Sequence, residues 1–248
     1  MYVLHSLPGA KMSMPSQPLH RSDCNTCEYR TLRMFCNLSP DALIDFNSIG
    51  VQMKIPKGAV LFQEDDASHG AVVICTGQIK LSCTSREGKT LILKIAMPGD
   101  VLGLSAVITG ARYEVTAEAL EPALVKNIRR EDLLAFLEKH GEASMHAAKA
   151  LSEEYKSVFF DARRLALSPS AAGRLATVLL DWGRAASCGK PEMRFTMALT
   201  HEELANLAGT SRETVTRVLG KFRKDKLIQV RGSSILVLAP ERLAQLSA

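Results

Sequence analysis

Two sets of residues have types and spacings that could do chemistry, and they stand near opposite ends of the 248-residue chain. Toward the C-terminus, Arg212, Glu213, Thr216 and Arg217 follow closely on Ser211. An arginine can donate two hydrogen bonds to guanine O6 and N7, and a carboxylate can accept from cytosine N4. Thr200, His201, Ser211 and Thr214 add hydroxyls and helix starts of the kind that hold phosphates. Toward the N-terminus, three of six cysteines are crowded as Cys24-x2-Cys27-x8-Cys36. Thiolates suit iron-sulfur clusters or zinc, and neighbouring thiols also exchange with disulfides. Both metal types want four ligands, so a fourth would have to be Cys75, Cys83, a nearby residue such as His20, or an exogenous group. Cys75 and Cys83 lie on strand-like runs and Cys36 stands in Phe35-Cys36-Asn37-Leu38, where a cysteine can equally be a small buried apolar side chain. Cys188, on a glycine loop, reads as exposed. Four readings of the trio stay open: a cluster, a thiol-disulfide switch, zinc, or no metal or redox role.

The C-terminal set needs two helices and a sharp turn to position it. Thr200 with Glu203 three residues on forms a capping box, and Leu204, Leu207 and Ala208 give that helix an apolar side. Gly209 permits the turn, and Ser211 caps a second helix with Val215, Val218, Leu219 and Phe222 inward. Arg212, Glu213, Thr216 and Arg217 are left on the opposite side, at the end of a helix that enters a major groove. A helix near Ala171 to Trp182 precedes this helix-turn-helix of Leu199 to Ile228. Strands Leu227 to Val230 and Ile235 to Leu238 follow, joined by a turn at Arg231, which makes a winged helix.

Upstream, Ser39 caps a short helix over 39 to 50. Short apolar runs then recur between glycine turns: Val60 to Phe62, Ala71 to Cys75, Ile79 to Cys83, Leu91 to Ile95, Tyr113 to Ala117 and Ala123 to Ile128. Such spacing predicts an antiparallel barrel or sandwich. From Glu131 to about Leu167 the pattern is helical, and Ala148, Leu151, Tyr155, Val158, Ala162 and Leu165 form a 3-4-3-4-3 seam. A core helix inside one chain would explain the seam, but its length and its place between domains predict a parallel homodimer. Ser168-Pro169 ends the helix. The fold class is α+β, in four parts: an arm over 1–38, a roll over 39–130, a dimer helix over 131–167 and a winged helix over 168–248.

Charge supports this division. Residues 168–248 carry twelve Lys and Arg against seven Asp and Glu, whereas residues 1–167 carry nineteen of each, so the net charge of +5 sits in the last third. A local basic excess attracts double-stranded DNA. No apolar run reaches bilayer length and no signal-peptide pattern opens the chain, which predicts a soluble, cytoplasmic protein without a membrane partner. There is no Walker loop, dinucleotide glycine fingerprint or G-x-S-x-G elbow, and six scattered histidines lack metal-ligand spacing, so an enzyme is disfavoured. A nucleoid protein binding without sequence preference is a further rival.

The stretch Leu199 to Arg217, with the order roll, long helix, winged helix, resembles the cyclic-AMP receptor and fumarate-nitrate reduction regulator (CRP/FNR) family over nearly the whole chain after residue 20. The resemblance implies base reading by Arg212, Glu213 and Arg217, a phosphate contact at Arg231, and RNA polymerase as a partner. Arg212 before Glu213 is similar to the cyclic-AMP receptor side, with a GTGA half-site core, while Thr216 has a hydroxyl where the oxygen-sensing side has serine. Leu104 stands where the nucleotide binders have a ribose-binding Glu, and Glu114 near their phosphate-binding Arg-Ser pair, with Arg112 as a possible substitute. Cyclic AMP is therefore not expected to bind. The cysteine trio resembles the N-terminal set of regulators carrying an oxygen-labile [4Fe-4S] cluster. Their fourth cysteine lies on the last roll strand, which here reads Glu121 to Lys126 with no cysteine.

Overall fold

The computed structural model of the chain describes residues 24, 27, 30, 36–167, 170–187, 192–197 and 199–246, with side chains from 160–167 and 185–187 left aside. The order of elements is α1 (Pro40–Ser48), β1 (Val51–Ile55), β2 (Val60–Phe62), β3 (Gly70–Thr76), β4 (Ile79–Thr84), β5 (Thr90–Ala96), β6 (Val101–Leu102), α2 (Leu104–Thr109), β7 (Thr116–Ala119), β8 (Ala123–Arg129), α3 (Arg130–Lys139), α4 (Gly141–Leu167), α5 (Ala171–Ser187), β9 (Met193–Thr196), α6 (His201–Ala208), α7 (Arg212–Lys224), β10 (Ile228–Arg231), β11 (Ser234–Val237) and α8 (Pro240–Gln245).

Two antiparallel sheets, ordered β1-β8-β3-β6 and β2-β7-β4-β5, face one another as a roll. Successive strand residues point to opposite faces, so β3 and β8 divide their apolar residues between two cores. Ile55, Ile74, Ile79, Leu81 and Val125 fill the space between the sheets, where Phe62 stacks on Tyr113 at 4.0 Å between ring centroids. Ala71, Val73 and Ile128 point the other way and are covered by Leu43 and Phe46 of α1, Leu133 and Phe136 of α3, and Ala147 of α4. Full burial of a leucine or phenylalanine side chain contributes about 1.5–3 kcal/mol, so this helical cover is integral to the roll. The third core holds α5 to α8 with the sheet β10-β11-β9, and it also takes in Ile92, Ile95 and Leu120 from the roll.

The helical run expected over 131–167 is two helices. It breaks at His140 (φ −119°, ψ 95°), whose ring packs on Phe136 and whose Nε2 lies 2.7 Å from Asp45 Oδ2 of α1. Lys139 Nζ reaches the same oxygen at 2.7 Å, so one carboxylate pins the junction. Helical periodicity runs through the break because both halves bury apolar residues. Ser39 stands at the start of α1, but its side chain makes no cap; its N–H and hydroxyl both donate to the Glu142 carboxylate of α4. The strand expected from Tyr113 begins at Thr116, because Tyr113 pairs its backbone with Asp65 and Asp66 in a loop instead. The helix from Ala171 runs on to Ser187, and β1, β6, α2, β9 and α8 were not legible in the apolar pattern. Residues 1–20, Ser168-Pro169, Cys188, Gly189 and Pro191 lie outside the described residues. Among those described, no helix is long and apolar enough to cross a membrane.

Candidate nucleic-acid interface and cysteine segment

The helix-turn-helix is assembled by short-range polar contacts. The Thr200 hydroxyl accepts from the Glu203 N–H at 3.2 Å, and the Glu203 carboxylate accepts from the Thr200 N–H at 2.9 Å, which completes the expected capping box. Gly209 ends α6 at φ 58°, ψ 45°, a left-handed conformation that glycine adopts without steric cost. The Ser211 hydroxyl then accepts from the Thr214 N–H at 3.2 Å and starts α7. Arg174 of α5 donates to Ala208 O at 2.7 Å and to Gly209 O at 3.2 Å, satisfying carbonyls that the end of α6 leaves without helical partners. Sequence reading missed Arg174, because nothing local marks a partner 34 residues away.

Val215, Val218, Leu219 and Phe222 are buried, which leaves Arg212, Glu213, Thr216 and Arg217 exposed on one side of α7. The Thr216 hydroxyl donates to Arg212 O at 3.0 Å and lies 2.9 Å from His201 Nδ1. A hydroxyl has one proton, so with both bonds made Nδ1 must carry its own hydrogen and donate. His201 and Thr216 thus join the two helices rather than presenting unengaged groups. Glu213 accepts from its own backbone N–H and from Ser211, and these hold its carboxyl below the usual glutamate range. It is a charged acceptor beside two exposed guanidinium groups. Arg231 is exposed at the end of β10, opposite Ser234 across a turn in which Gly232 has φ 58°.

The cysteine segment is built differently. Cys24, Cys27 and Cys36 are each partly buried, and Cys24 and Cys36 pack on the same core as Val101, Leu134, Ala150 and Leu151. The Cys27 N–H donates to Cys24 O at 3.4 Å, and the Arg30 guanidinium donates to Leu38 O at 2.9 Å, which ties the segment to the start of α1. Among the described residues, no three His, Cys, Asp or Glu are gathered closely enough to hold a metal ion. Cys75 lies on β3 where the pairing with β8 slips between Ile74 and Thr76. Cys83 lies in the other sheet, where burial and then the charge of Glu64 push its thiol up, away from the thiolate a metal requires. On β8, the last roll strand, Lys126 is 3% exposed, donates to Phe46 O and sits 4.5 Å over the Phe46 ring. The donors fit a thiophilic group in chemistry; their number and grouping do not complete a site.

The nucleotide-facing positions are equally specific. Leu104 is 2% exposed and belongs to the core under α1 and α3. Arg112 donates to Asp65 O at 2.5 Å, and the Glu114 carboxylate accepts from the Ser105 hydroxyl at 3.1 Å. An aliphatic side chain, a guanidinium engaged by backbone and a carboxylate form a poor cradle for a cyclic phosphate.

Comparison with known proteins matches residues 52–140 to the cyclic nucleotide-binding domain and residues 173–246 to the Crp-like helix-turn-helix domain. The fumarate and nitrate reduction regulatory protein of Vibrio cholerae is 28% identical over 228 residues, 90% of either chain. The CRP-like cAMP-activated global transcriptional regulator of Mycobacterium tuberculosis is 26% identical over 215 residues, 86% of this chain and 95% of that one. The structure of FixK2 from Bradyrhizobium japonicum shares the fold, with a TM-score of 0.73 over 81% of this chain and 98% of that chain at 20% identity. A roll, a long helix and a winged helix-turn-helix with an exposed polar α7 define a DNA-binding transcription regulator and not an enzyme. The chain belongs to the CRP/FNR family of such regulators.

Proposed function

We propose that the protein acts as a homodimer on palindromic DNA, with Arg212, Glu213 and Arg217 reading base edges and Thr200, Ser211, Thr214 and Arg231 holding phosphates. His201 and Thr216 are placed at the same surface and set the angle between the two helices. The observation that carries the assembly is the outer face of α4, where Tyr155 is 71% and Val158 59% exposed, with Phe159 exposed beside them and Met145 exposed about 15 Å nearer the start of the helix. Exposed apolar side chains of this size call for cover, and a second α4 supplies it in kind. Ala148 is exposed at the upper end of this face, whereas Leu151 is half-buried toward its own roll. Ala162 and Leu165, the last two positions of the expected seam, are among the residues whose side chains are not described. The division into an arm (1–38), a roll (39–130), a dimer helix (131–167) and a winged helix (168–248) follows, with RNA polymerase as the partner that the family suggests. Val158→Asp should weaken the dimer by roughly 3 kcal/mol or more, since an aspartate in an apolar seam has no partner. Sedimentation as an intact dimer at nanomolar concentration would show that the seam faces elsewhere, and footprinting should place half-sites about 34 Å apart.

For the sensor, we propose the segment holding Cys24, Cys27 and Cys36, with an iron-sulfur cluster as the group it carries. Cys24, Cys27 and Cys36 would hold such a group, which would supply oxygen-labile iron-sulfur bonds; Cys24 and Cys36 pack against a core that includes Ala143 and Ala147 of α4, which links the segment to the long helix. The ungathered thiols favour a second reading, a thiol-disulfide switch in the same segment. Anaerobic purification, a visible spectrum and iron and sulfide analysis separate the two. Leu104, Arg112 and Glu114 argue that micromolar cyclic AMP leaves DNA affinity unchanged.

A further inference from the structure

The roll and the winged helix meet at a joint with a polar lock. Ile92 and Ile95 of β5 and the neighbouring Leu120 are buried in the same core as Leu204 and Leu207 of α6. A half-open crevice of about 140 Å³ runs along the edge of this contact, lined by Leu93, Lys94 and Ile95 of the roll and Val178, Asp181, Trp182 and Leu207 of the winged helix. Apolar contact is non-directional, so it does not by itself fix the angle of the joint. Direction comes from Lys80 of β4. Its ammonium lies 3.0 Å from Glu118 Oε2 in the roll and 3.1 Å from Glu203 Oε1 in α6, with the lysine side chain only 11% exposed. Glu203 is the residue that caps α6, and it does so through its other oxygen, Oε2. One carboxylate therefore fixes the start of α6 and fastens it to the sensor.

We propose that Lys80 is a positioning residue for DNA binding, locking the helix-turn-helix to the roll in the orientation that presents α7. The docked face is that of α6 and α5, so Arg212, Glu213 and Arg217 stay exposed while the lock is closed. The lock favours DNA engagement rather than blocking it. Without Lys80, Glu118 and Glu203 face each other as like charges across the joint and push it open. Without the Glu203 charge, Lys80 keeps Glu118, and only the cross-link is lost. Lys80→Met should therefore disturb the joint more than Glu203→Gln, in which the amide oxygen can still complete the capping box.

A domain held at a fixed angle to the dimer axis discriminates half-site spacing; one that swings does not. This consequence rests on the palindromic dimer proposed above. The test uses the full chain and a palindromic duplex selected by the wild type from a randomised pool, its variants lengthened or shortened by one base pair, and a lone half-site. Lys80→Met should lower the preference for the selected spacing by about tenfold, within the usual range of coupling between sites, and leave lone half-site affinity unchanged. Lys80→Arg should restore it. Amide hydrogen exchange, which needs no DNA, should show β5 and α6 losing protection together in Lys80→Met and keeping it in Lys80→Arg. A wild-type spacing profile in Lys80→Met, or an equal loss on every duplex, overturns the proposal, as does unchanged exchange. A wild type indifferent to spacing would count against the dimer reading alone, and the exchange experiment would still decide the joint.

Discussion

The helix-turn-helix and the cysteine segment both draw attention by residue type and spacing, yet they are positioned by opposite means. The capping and helix-joining groups of the first are placed mainly by partners within 15 residues, Thr200 by Glu203, Ser211 by Thr214, and Thr216 by Arg212 and His201, while Arg174 and Lys80 reach it from farther away. The second depends on distant elements. Cys24 and Cys36 pack against a core drawn from α1, β3, α2, β8, α3 and α4, and any fourth ligand would come from another strand or from outside the chain. Local hydrogen bonds make a site whose geometry is complete in one chain. A site held by remote packing takes its geometry from whatever its neighbours do, which suits a sensor.

Substitution of the cysteines should widen this contrast and carries the largest expected effect. Cys27→Ser should abolish any response of DNA affinity to oxygen or thiol oxidants, read by anisotropy titration, and leave the affinity of the unresponsive state intact. Cys83→Ser should change the response by no more than about twofold, the scale of a substitution away from a functional feature. A silent Cys27→Ser would place the sensor outside the segment. Next in size is Arg217→Ala, which should cost roughly 1–3 kcal/mol on the selected duplex and relax preference at one base pair. Equal losses on selected and random DNA would make Arg217 a phosphate contact, and the two regions would then differ less than their geometry suggests.

The same contrast explains what was legible in the sequence. The capping box, the Gly209 turn and both faces of α7 follow from residues three or four apart, and the structure has them where the pattern put them. The strand spacing likewise led to an antiparallel roll. What could not be read is long-range. Asp45 breaks the helical run at His140 from 95 residues away, Glu142 takes Ser39 from its expected cap, and Lys80 reaches α6 across 123 residues. The base-reading surface is a local pattern; the joint that aims it is not.

The smallest expected effect concerns pH. Glu203 is half-buried, which raises its carboxyl, but the Thr200 backbone N–H, Lys80 and the Thr200 hydroxyl outweigh burial and hold it below the ordinary value. Glu213 is lowered as well, by its own backbone N–H and by Ser211. A carboxyl lowered by folding contributes fully above its unfolded value, about pH 4.3, and its contribution is lost only as pH falls through the lowered one. Lys80 runs the other way. Burial depresses it, but Glu118 and Glu203 raise it on balance, so its contribution is complete below about pH 10 and is lost above. None of these groups changes charge between about pH 6 and pH 8.5. Affinity for the selected duplex at fixed ionic strength should therefore vary by less than about twofold across that window. His201 Nδ1 faces Thr216 beside the base-reading side chains and joins the two helices. A slope that vanishes in His201→Asn would assign the change to the contact between the two helices. A slope that survives it would mean that a group outside the helix-turn-helix reports pH to the DNA, and the independence of the two regions would fail.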